Sequence, residues 1–154
     1  MKIIMFEEKY RDDMIFMVLS AKNALGRVPR LNNDLLDIKT NYFDKGHSFW
    51  IAIDEFDRVI GCIGTKNDEN GNLFLSHLYV KFDFKRHGVG GKLLEVAESS
   101  ARERGYKEIH THLGKEYLES HIFYPKHGYK EYKDLYMKKE LWFVQNIKIL
   151  RLFY

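Results

Sequence analysis

Cysteine and proline are scarce in this sequence. The 154 residues include one cysteine, Cys62, and two prolines. A single cysteine excludes an internal disulfide and a zinc site built from several cysteines, and it favours a reducing compartment. With so few prolines and no low-complexity stretch, long linkers are not expected. The length fits one domain with a hydrophobic core.

Long apolar runs and a strong charge of one sign are also missing. No run reaches the roughly 20 apolar residues that cross a bilayer. Lys2, Glu7 and Glu8 stand where a signal peptide would have its apolar segment. Lys and Arg number 25 and Asp and Glu 22, which gives a net charge of +3. This mild excess does not favour nucleic acid, although it modestly favours an anionic ligand. We therefore expect a cytoplasmic protein that binds neither membranes nor nucleic acids.

The first half of the chain predicts two helices and an antiparallel meander. The first helix is expected to be capped by Asp12 or Asp13. The second is expected to run from Asn32 or Asn33 to about Gly46. Short apolar, strand-like runs, with a hairpin signal between the last two, predict extended segments. These strands are expected at 2–6, 48–53, 58–65 and 73–80.

The second half alternates between helices and strands. After residue 88 the pattern predicts a helix, a strand at 108–113, a helix at 116–126 and a final β segment at 129–139. A meander followed by this alternation is typical of an α/β fold with a mixed sheet.

A very apolar segment, residues 141–154, ends the sequence. Gln145, Lys148 and Arg151 recur every three residues, as in a helix with one polar stripe. The β-branched and aromatic content also allows a strand. Such an extension must pack on its own domain or on a second chain, which would make a homodimer.

The most informative stretch, residues 78–94, predicts a strand, a glycine-rich turn and a helix. The first turn of a helix has unpaired N–H groups and a partial positive charge, so it can bind a pyrophosphate. Glycines at the turn would let phosphates approach the backbone closely. Basic residues add positive charge there: Lys85, Arg86, His87 and Lys92. Neither G-x-x-x-x-G-K-[ST] nor G-x-G-x-x-G occurs, which excludes those two nucleotide loops.

Two motifs in this half resemble the GNAT superfamily of N-acetyltransferases. Residues 85–90 are similar to the family's [QR]-x-x-G-x-[GA] signature, with Lys85 in place of the usual Gln or Arg. Residues 120–129 are similar to A-x-x-[FL]-Y-x-x-x-G-[FY], at the expected distance. The resemblance covers about 1–140 and implies one domain over those residues. The implied fold is α/β, with a mixed, mostly antiparallel sheet of six to seven strands and about four helices.

The resemblance also implies an activity and a co-substrate. It implies transfer of an acetyl group from acetyl-CoA to a primary amine, by direct attack in a ternary complex and without a metal. The strand before the turn is expected to hold the pantetheine arm through Leu78, Tyr79 and Val80. The turn is expected to hold the CoA pyrophosphate through Lys85, Arg86, His87, Gly88, Val89, Gly90 and Gly91.

Tyr124 stands at the tyrosine of the second motif. Family members commonly use this phenol as a general acid, which protonates the leaving thiolate of CoA. The alternative is that Tyr124 is a core aromatic at the end of a helix. Tyr117 stands where many members have an asparagine that contacts pantetheine, so that contact is not expected here.

The base that must deprotonate the amine is not obvious. Many relatives carry a glutamate on the last strand of the meander, at the position of Phe74 in this chain. Histidine titrates near neutrality, so His77 or His112 is the candidate base. His110 lies two residues before His112 on the same predicted strand. Asp83, Glu116 and bulk solvent remain alternatives. A metal site on His77, His110 and His112 is conceivable but lacks an evident further ligand.

The acceptor would be a small-molecule or peptide amine. In the family, the first two helices and the last hairpin shape its groove, which corresponds to residues 20–47 and 128–136 here. Three aspartates in the first region could hold a cationic amine beside aromatic rings, or could simply belong to a solvated face. They are Asp34, Asp37 and Asp44.

Three alternatives concern the chemistry itself. A covalent intermediate on Cys62 is not expected, because this residue lies in the middle of an apolar strand. A second function class is a domain that binds acyl-CoA as a sensor or interaction module without turnover. A third is a phosphate-binding protein unrelated to CoA.

Overall fold

Seven strands form the sheet in the computed structural model, which describes residues 1–141. Their order is β1-β2-β3-β4-β5-β7-β6, and all recorded pairings are antiparallel except β4 with β5, which is parallel. The strands are β1 (Lys2–Met5), β2 (Ser48–Ile53), β3 (Val59–Asn67), β4 (Leu73–Val80), β5 (Glu108–His112), β6 (Lys130–Lys133) and β7 (Tyr136–Glu140).

Four α-helices accompany these strands in the described part of the chain. They are α1 (Arg11–Ala24), α2 (Ile38–Asn41), α3 (Val89–Glu103) and α4 (Leu118–Lys126). The predicted α/β fold with a mixed, mostly antiparallel sheet is confirmed. None of the helices within residues 1–141 is long and apolar enough to cross a membrane. The predictions for the apolar extension fall outside the described residues, apart from Leu141.

The prediction of one continuous second helix, ending near Gly46, is wrong. A 3-10 turn at Asn33–Leu36 comes first, and α2 begins only after Asp37. The side chain of Asp37 accepts hydrogen bonds from the backbone N–H and the hydroxyl of Thr40, at 3.0 and 2.8 Å. Such a cap begins a new helix, because it satisfies donors that a continuous helix would pair internally.

The predicted cap of α1 is also wrong. This helix begins after Tyr10 without a capping side chain. Asp13 instead binds residues on the far side of a turn: it accepts from Nη2 of Arg58 and from the backbone N–H of Val59, each at 2.8 Å. The local sequence could not show this, because the partners are 45 and 46 residues away.

The described residues group into two compact units. The first consists of Met1–Lys66 and Ser76–Ala97, and the second of Asn67–Leu75 and the residues from Glu98 onward. The core of the first unit combines apolar and aromatic side chains from α1, the 33–45 segment and the strands. It comprises Phe6, Tyr10, Met14, Met17, Val18, Leu35, Ile38, Tyr42, Phe49, Ile51, Ile53, Val59 and Cys62.

The second unit contains a buried carboxylate. Glu98 is 5% exposed, and Nζ of Lys139 lies 3.0 Å from both of its carboxylate oxygens. The hydroxyl of Tyr129 donates to the same carboxylate at 3.3 Å. A buried charge is tolerated only when it is paired and hydrogen-bonded, so these contacts allow Glu98 to remain in the interior.

Candidate functional site

The turn that follows β4 has two residues in the left-handed backbone region. A 3-10 turn at Phe82–Phe84 leads into it, and Arg86 and Gly88 then adopt φ of 67° and 78°. A Cβ on Gly88 would meet no atom within 4 Å, so space is open there, but the backbone conformation itself favours glycine. The turn therefore exposes backbone at Gly88 immediately before α3.

Helix α3 begins at Val89, so its first turn points free N–H groups toward the turn. The carbonyl of Gly88 accepts the N–H of Lys92 at 3.1 Å, which closes the first turn. The side chains of Arg86 and His87 are exposed beside it. Open backbone, a helix start and exposed basic side chains together suit an anionic group such as a phosphate. The structure brings the sequence-predicted residues 85–91 together here, directly after Leu78, Tyr79 and Val80.

Close packing fixes the position of α3 in the first unit. Val89 and Leu93 are buried on the face of α3 that packs against Gly61 of β3. Gly61 has no side chain, so the helix can approach the strand closely. A Cβ there would lie 2.9 Å from Cδ1 of Leu93 and 3.1 Å from the carbonyl oxygen of Tyr79.

His77, one of the two predicted bases, has an unusual backbone and a carboxylate partner. Its φ is 51°, a value that a side-chain-bearing residue rarely adopts within a strand. Its Nε2 lies 2.7 Å from Oδ2 of Asp34. The imidazole is stacked on the ring of Tyr79, with centroids 6.3 Å apart and planes 19° apart. Backbone strain of this kind is concentrated at functional sites.

Asp34 is the centre of this polar group. Besides His77, Oδ2 of Asp34 accepts from Nζ of Lys66 at 2.8 Å and from the hydroxyl of Tyr42 at 3.0 Å. The Tyr42 hydroxyl also lies 3.0 Å from Oγ of Ser76. Partial burial acts to raise the pKa of Asp34, but the hydrogen bonds from His77 and Lys66 outweigh it and hold the pKa well below its usual range. Asp34 is therefore ionised at neutral pH.

A buried lysine ties the loop before Asp34 to α1. Lys22 is 5% exposed, and its Nζ donates to the carbonyl of Arg30 at 2.7 Å and to the side-chain oxygen of Asn32. Burial lowers the pKa of Lys22, and the nearby charge of Asp34 acts in the opposite direction. These contacts hold the loop before Asp34 in place, and Asp34 contacts His77.

The other two aspartates of the expected acceptor region also have partners. Asp37 caps α2, and Asp44 lies 3.0 Å from Nζ of Lys39. Together with the paired Asp34, all three predicted amine-binding carboxylates are thus engaged within the protein.

In the second unit, Tyr124 lies on α4 and is 6% exposed. Burial raises the pKa of Tyr124 to about 12, although a hydrogen bond with Thr111 acts in the opposite direction. Its ring contacts those of Phe123 and Tyr129, each at a centroid distance of 5.2 Å. A phenol with a raised pKa stays protonated at neutral pH, so Tyr124 carries its hydroxyl proton there.

The remaining histidines of the predicted set differ in their surroundings. His110 is buried, with Nδ1 2.9 Å from the hydroxyl of Tyr132 and Nε2 3.0 Å from Oε1 of Glu108. His112 is exposed, and its ring is packed against that of Tyr136 at 4.4 Å. Within residues 1–141 no group of three or more His, Cys, Asp or Glu side chains could hold a metal ion.

Phe74 and Cys62 occupy packed positions. The ring of Phe74 lies 5.1 Å from that of His110. Cys62 is fully buried, its thiol donates to the carbonyl of His77 at 3.2 Å, and burial raises its pKa to about 12. A buried thiol with a raised pKa is a poor nucleophile, which argues against an acyl intermediate on Cys62.

Comparison with known proteins places the chain in a family. A family model described as an acetyltransferase (GNAT) domain matches residues 45–131. The chain is 38% identical over 80 residues to "Probable N-acetyltransferase camello" of Xenopus laevis, covering 49% of this chain and 36% of that protein. It is 29% identical over 109 residues to "N-acetyltransferase 8" of Homo sapiens, covering 66% of this chain and 47% of that protein. The chain therefore spans less than half the length of both curated relatives.

Solved structures share the fold at low sequence identity. An acetyltransferase of the GNAT family from Staphylococcus aureus superposes with a TM-score of 0.82 at 24% identity, covering 91% of this chain and 98% of that chain. An aminoglycoside 6'-N-acetyltransferase solved with coenzyme A gives a TM-score of 0.71 at 16% identity, with 92% and 97% covered. The matched family model spans more than half of the sequence, and the chain belongs to the GNAT family of acetyltransferases.

Proposed function

We propose that this chain is an N-acetyltransferase that transfers the acetyl group of acetyl-CoA to a primary amine. The observation that carries the proposal is the left-handed, uncrowded Gly88 directly before the first turn of α3. That arrangement offers backbone N–H groups to the CoA pyrophosphate, with Arg86 and His87 exposed beside them. The structural relative solved with coenzyme A supports this choice of co-substrate.

In the proposed reaction the amine attacks the thioester directly in a ternary complex. His77 takes a proton from the amine, the nitrogen bonds to the acetyl carbon, and the carbon–sulfur bond breaks. Tyr124 donates its phenolic proton to the departing sulfur and is reprotonated from solvent. His77 is preferred to His112 because its imidazole has a carboxylate partner, whereas His112 is packed against a tyrosine ring.

The acceptor class is a primary amine on a small molecule or a peptide. The aspartates expected to attract a cationic acceptor are already paired with protein groups: Asp34, Asp37 and Asp44. These three residues therefore do not favour an acceptor, such as a polyamine, that several free carboxylates would have to bind. An aminoglycoside is a useful probe, because a structural relative is an aminoglycoside acetyltransferase.

The test measures thiol release from acetyl-CoA with a colour reagent while a panel of amines is supplied. The panel contains spermidine, lysine, a lysine-containing peptide and an aminoglycoside. We expect amine-dependent release, and we expect His77→Gln to lower kcat by roughly 10²-fold. His112→Gln is the matched control and should retain activity. Equal losses in both variants would contradict the assignment of His77.

A second candidate function is binding of acyl-CoA without turnover. The observation that favours it is Phe74, which stands at the position of the usual glutamate and is packed against His110. Calorimetry separates the two functions. CoA binding without thiol release across the panel, and no effect of Tyr124→Phe, would support the sensor; failure to bind CoA would contradict both.

A further inference from the structure

We propose that Asp34 is the positioning residue for His77: its carboxylate holds the Nε2 proton and thereby leaves Nδ1 to accept the proton of the amine. This inference rests on the proposed acetyl transfer, and it adds a residue to that reaction. Asp34 and His77 are 43 residues apart in the sequence, and only the fold brings them together.

The geometry fixes which ring nitrogen carries the proton. Nε2 of His77 lies 2.7 Å from Oδ2 of Asp34, and an ionised carboxylate can only accept a hydrogen bond. A neutral imidazole has one N–H, which must therefore be on Nε2. Within residues 1–141, the ring of His77 makes its hydrogen bond through Nε2, and Nδ1 makes none. In the proposal, the lone pair of Nδ1 accepts the proton of the amine.

Two further contacts keep Asp34 in this role. Nζ of Lys66 lies 2.8 Å from the same oxygen, and the hydroxyl of Tyr42 donates to it at 3.0 Å. The ammonium of Lys66 also lies 4.4 Å above the ring of Tyr42, which limits its freedom. An anion that accepts three charge-assisted or polar bonds stays ionised and well oriented.

The charges around His77 oppose one another. The carboxylate of Asp34 is negative, and the ammonium of Lys66, which binds the same oxygen, is positive. Lys22 adds a second positive charge nearby: its Nζ lies 5.6 Å from the centroid of the Tyr79 ring, on which His77 also stacks. Ser76 and Tyr42 contribute neutral hydroxyls.

The backbone conformation of His77 supports a functional role for the pair of His77 and Asp34. A φ of 51° costs free energy for a residue with a side chain, and it persists because neighbouring groups hold it. One of these groups is the thiol of Cys62, which donates to the carbonyl of His77 at 3.2 Å. A relaxed strand conformation would direct the imidazole elsewhere, since side-chain direction follows the backbone.

Nitrogen-15 NMR of the imidazole tests the arrangement without relying on activity. The signals of His77 are assigned by their loss in His77→Gln. In the wild-type chain we expect an Nε2 proton that exchanges slowly with water and an unprotonated Nδ1. Asp34→Ala should abolish the slow exchange, whereas Asp34→Glu, which keeps a carboxylate and guards against a folding defect, should retain part of it. Asp44→Ala is the matched control and should change nothing.

Kinetics then links the pair to the reaction. Asp34→Ala should lower kcat at least about 10-fold while leaving KM for acetyl-CoA within about twofold, as expected for the loss of base orientation alone. An Nε2 proton signal unchanged in Asp34→Ala, or a proton found on Nδ1, would overturn the inference even if amines are acetylated. Absence of thiol release with every amine would overturn the proposed function, and the NMR result would still decide how Asp34 holds His77.

Discussion

Gly61 and Leu93 lie so close that no side chain fits between the strand and the helix that carry them. A Cβ on Gly61 would lie 2.9 Å from Cδ1 of Leu93 and 3.1 Å from Cγ1 of Val89. Both helical side chains are buried, so neither can move outward without loss of packing. The start of α3, where the CoA pyrophosphate is proposed to bind, therefore depends on the absence of a single methyl group.

Gly61→Ala should lower the free energy of unfolding by about 1–3 kcal/mol, because the added methyl overpacks a full interior. It should also weaken CoA binding, since α3 must shift. Urea unfolding and calorimetry measure the two effects. Leu93→Ala removes the closest atom, so the double variant should lose less stability than the sum of the single changes. Strict additivity would contradict the proposed clash.

Gly88→Ala should reduce CoA affinity as well as stability. The strain of placing alanine at a φ of 78° costs roughly 1–2 kcal/mol. Gly105 follows α3 with a φ of 84° and equally open surroundings, so Gly105→Ala is a matched control for strain. Both variants should unfold at lower urea concentration, but only Gly88→Ala should lose CoA affinity in calorimetry. An equal loss of affinity in both would show that strain alone is responsible.

Tyr124→Phe should lower kcat by roughly 10²-fold if the phenol protonates the leaving sulfur. Since the pKa of Tyr124 is raised to about 12, the protonated form is the active one and should persist until the pH approaches that value. The pH dependence of kcat, measured from steady-state rates up to alkaline pH, tests this expectation. Tyr129→Phe removes a neighbouring buried hydroxyl that donates to Glu98 and is the control: it should cost about 1.5–3 kcal/mol of stability and leave kcat unchanged.

Asp34 should make stability depend on acidic pH. Its pKa in the folded protein is held below the ordinary value of 3.8, so the folded state binds fewer protons than the unfolded state in the range between the two pKa values. The contribution is present above about pH 4 and is lost as pH falls toward the lowered pKa. The free energy of unfolding, measured with urea, should therefore fall less steeply between about pH 5 and about pH 3 for Asp34→Asn than for the wild-type chain.

Asp12→Asn is the control for that measurement, because the side chain of Asp12 is 91% exposed. Its pH dependence should match that of the wild-type chain. A slope for Asp34→Asn equal to the wild-type slope would mean that Asp34 gains nothing from Lys66 and His77.

Much of the fold could be predicted from local patterns. Strands β2 and β4 match the expected 48–53 and 73–80, because a short run rich in apolar, β-branched and aromatic residues beside turn residues is a strong local signal. The second helix was predicted wrongly because periodicity ignored the cap at Asp37. A capping side chain can divide a helix without altering the spacing of its apolar residues.

The candidate site was predictable only in part. The turn at 85–91 is continuous in sequence, so its composition and spacing were visible. The partnership of Asp34 and His77 was not, although the sequence indicates His77 as a candidate base and Asp34 as a candidate ligand of the amine. It depends on a contact across 43 residues, and no local signal records which carboxylate a histidine will meet. The buried Lys22 was missed for the same reason.

The left-handed backbone of His77 puts stability and chemistry in conflict at one position. Glycine would adopt the φ of 51° without strain and should relieve about 1 kcal/mol or more. It would also remove the imidazole. The hydrogen bond from the imidazole to Asp34 would be lost as well, which offsets the relief of strain, and the proposed base would be gone. Enzymes of this kind are best improved by selecting for turnover and thermal tolerance in the same experiment.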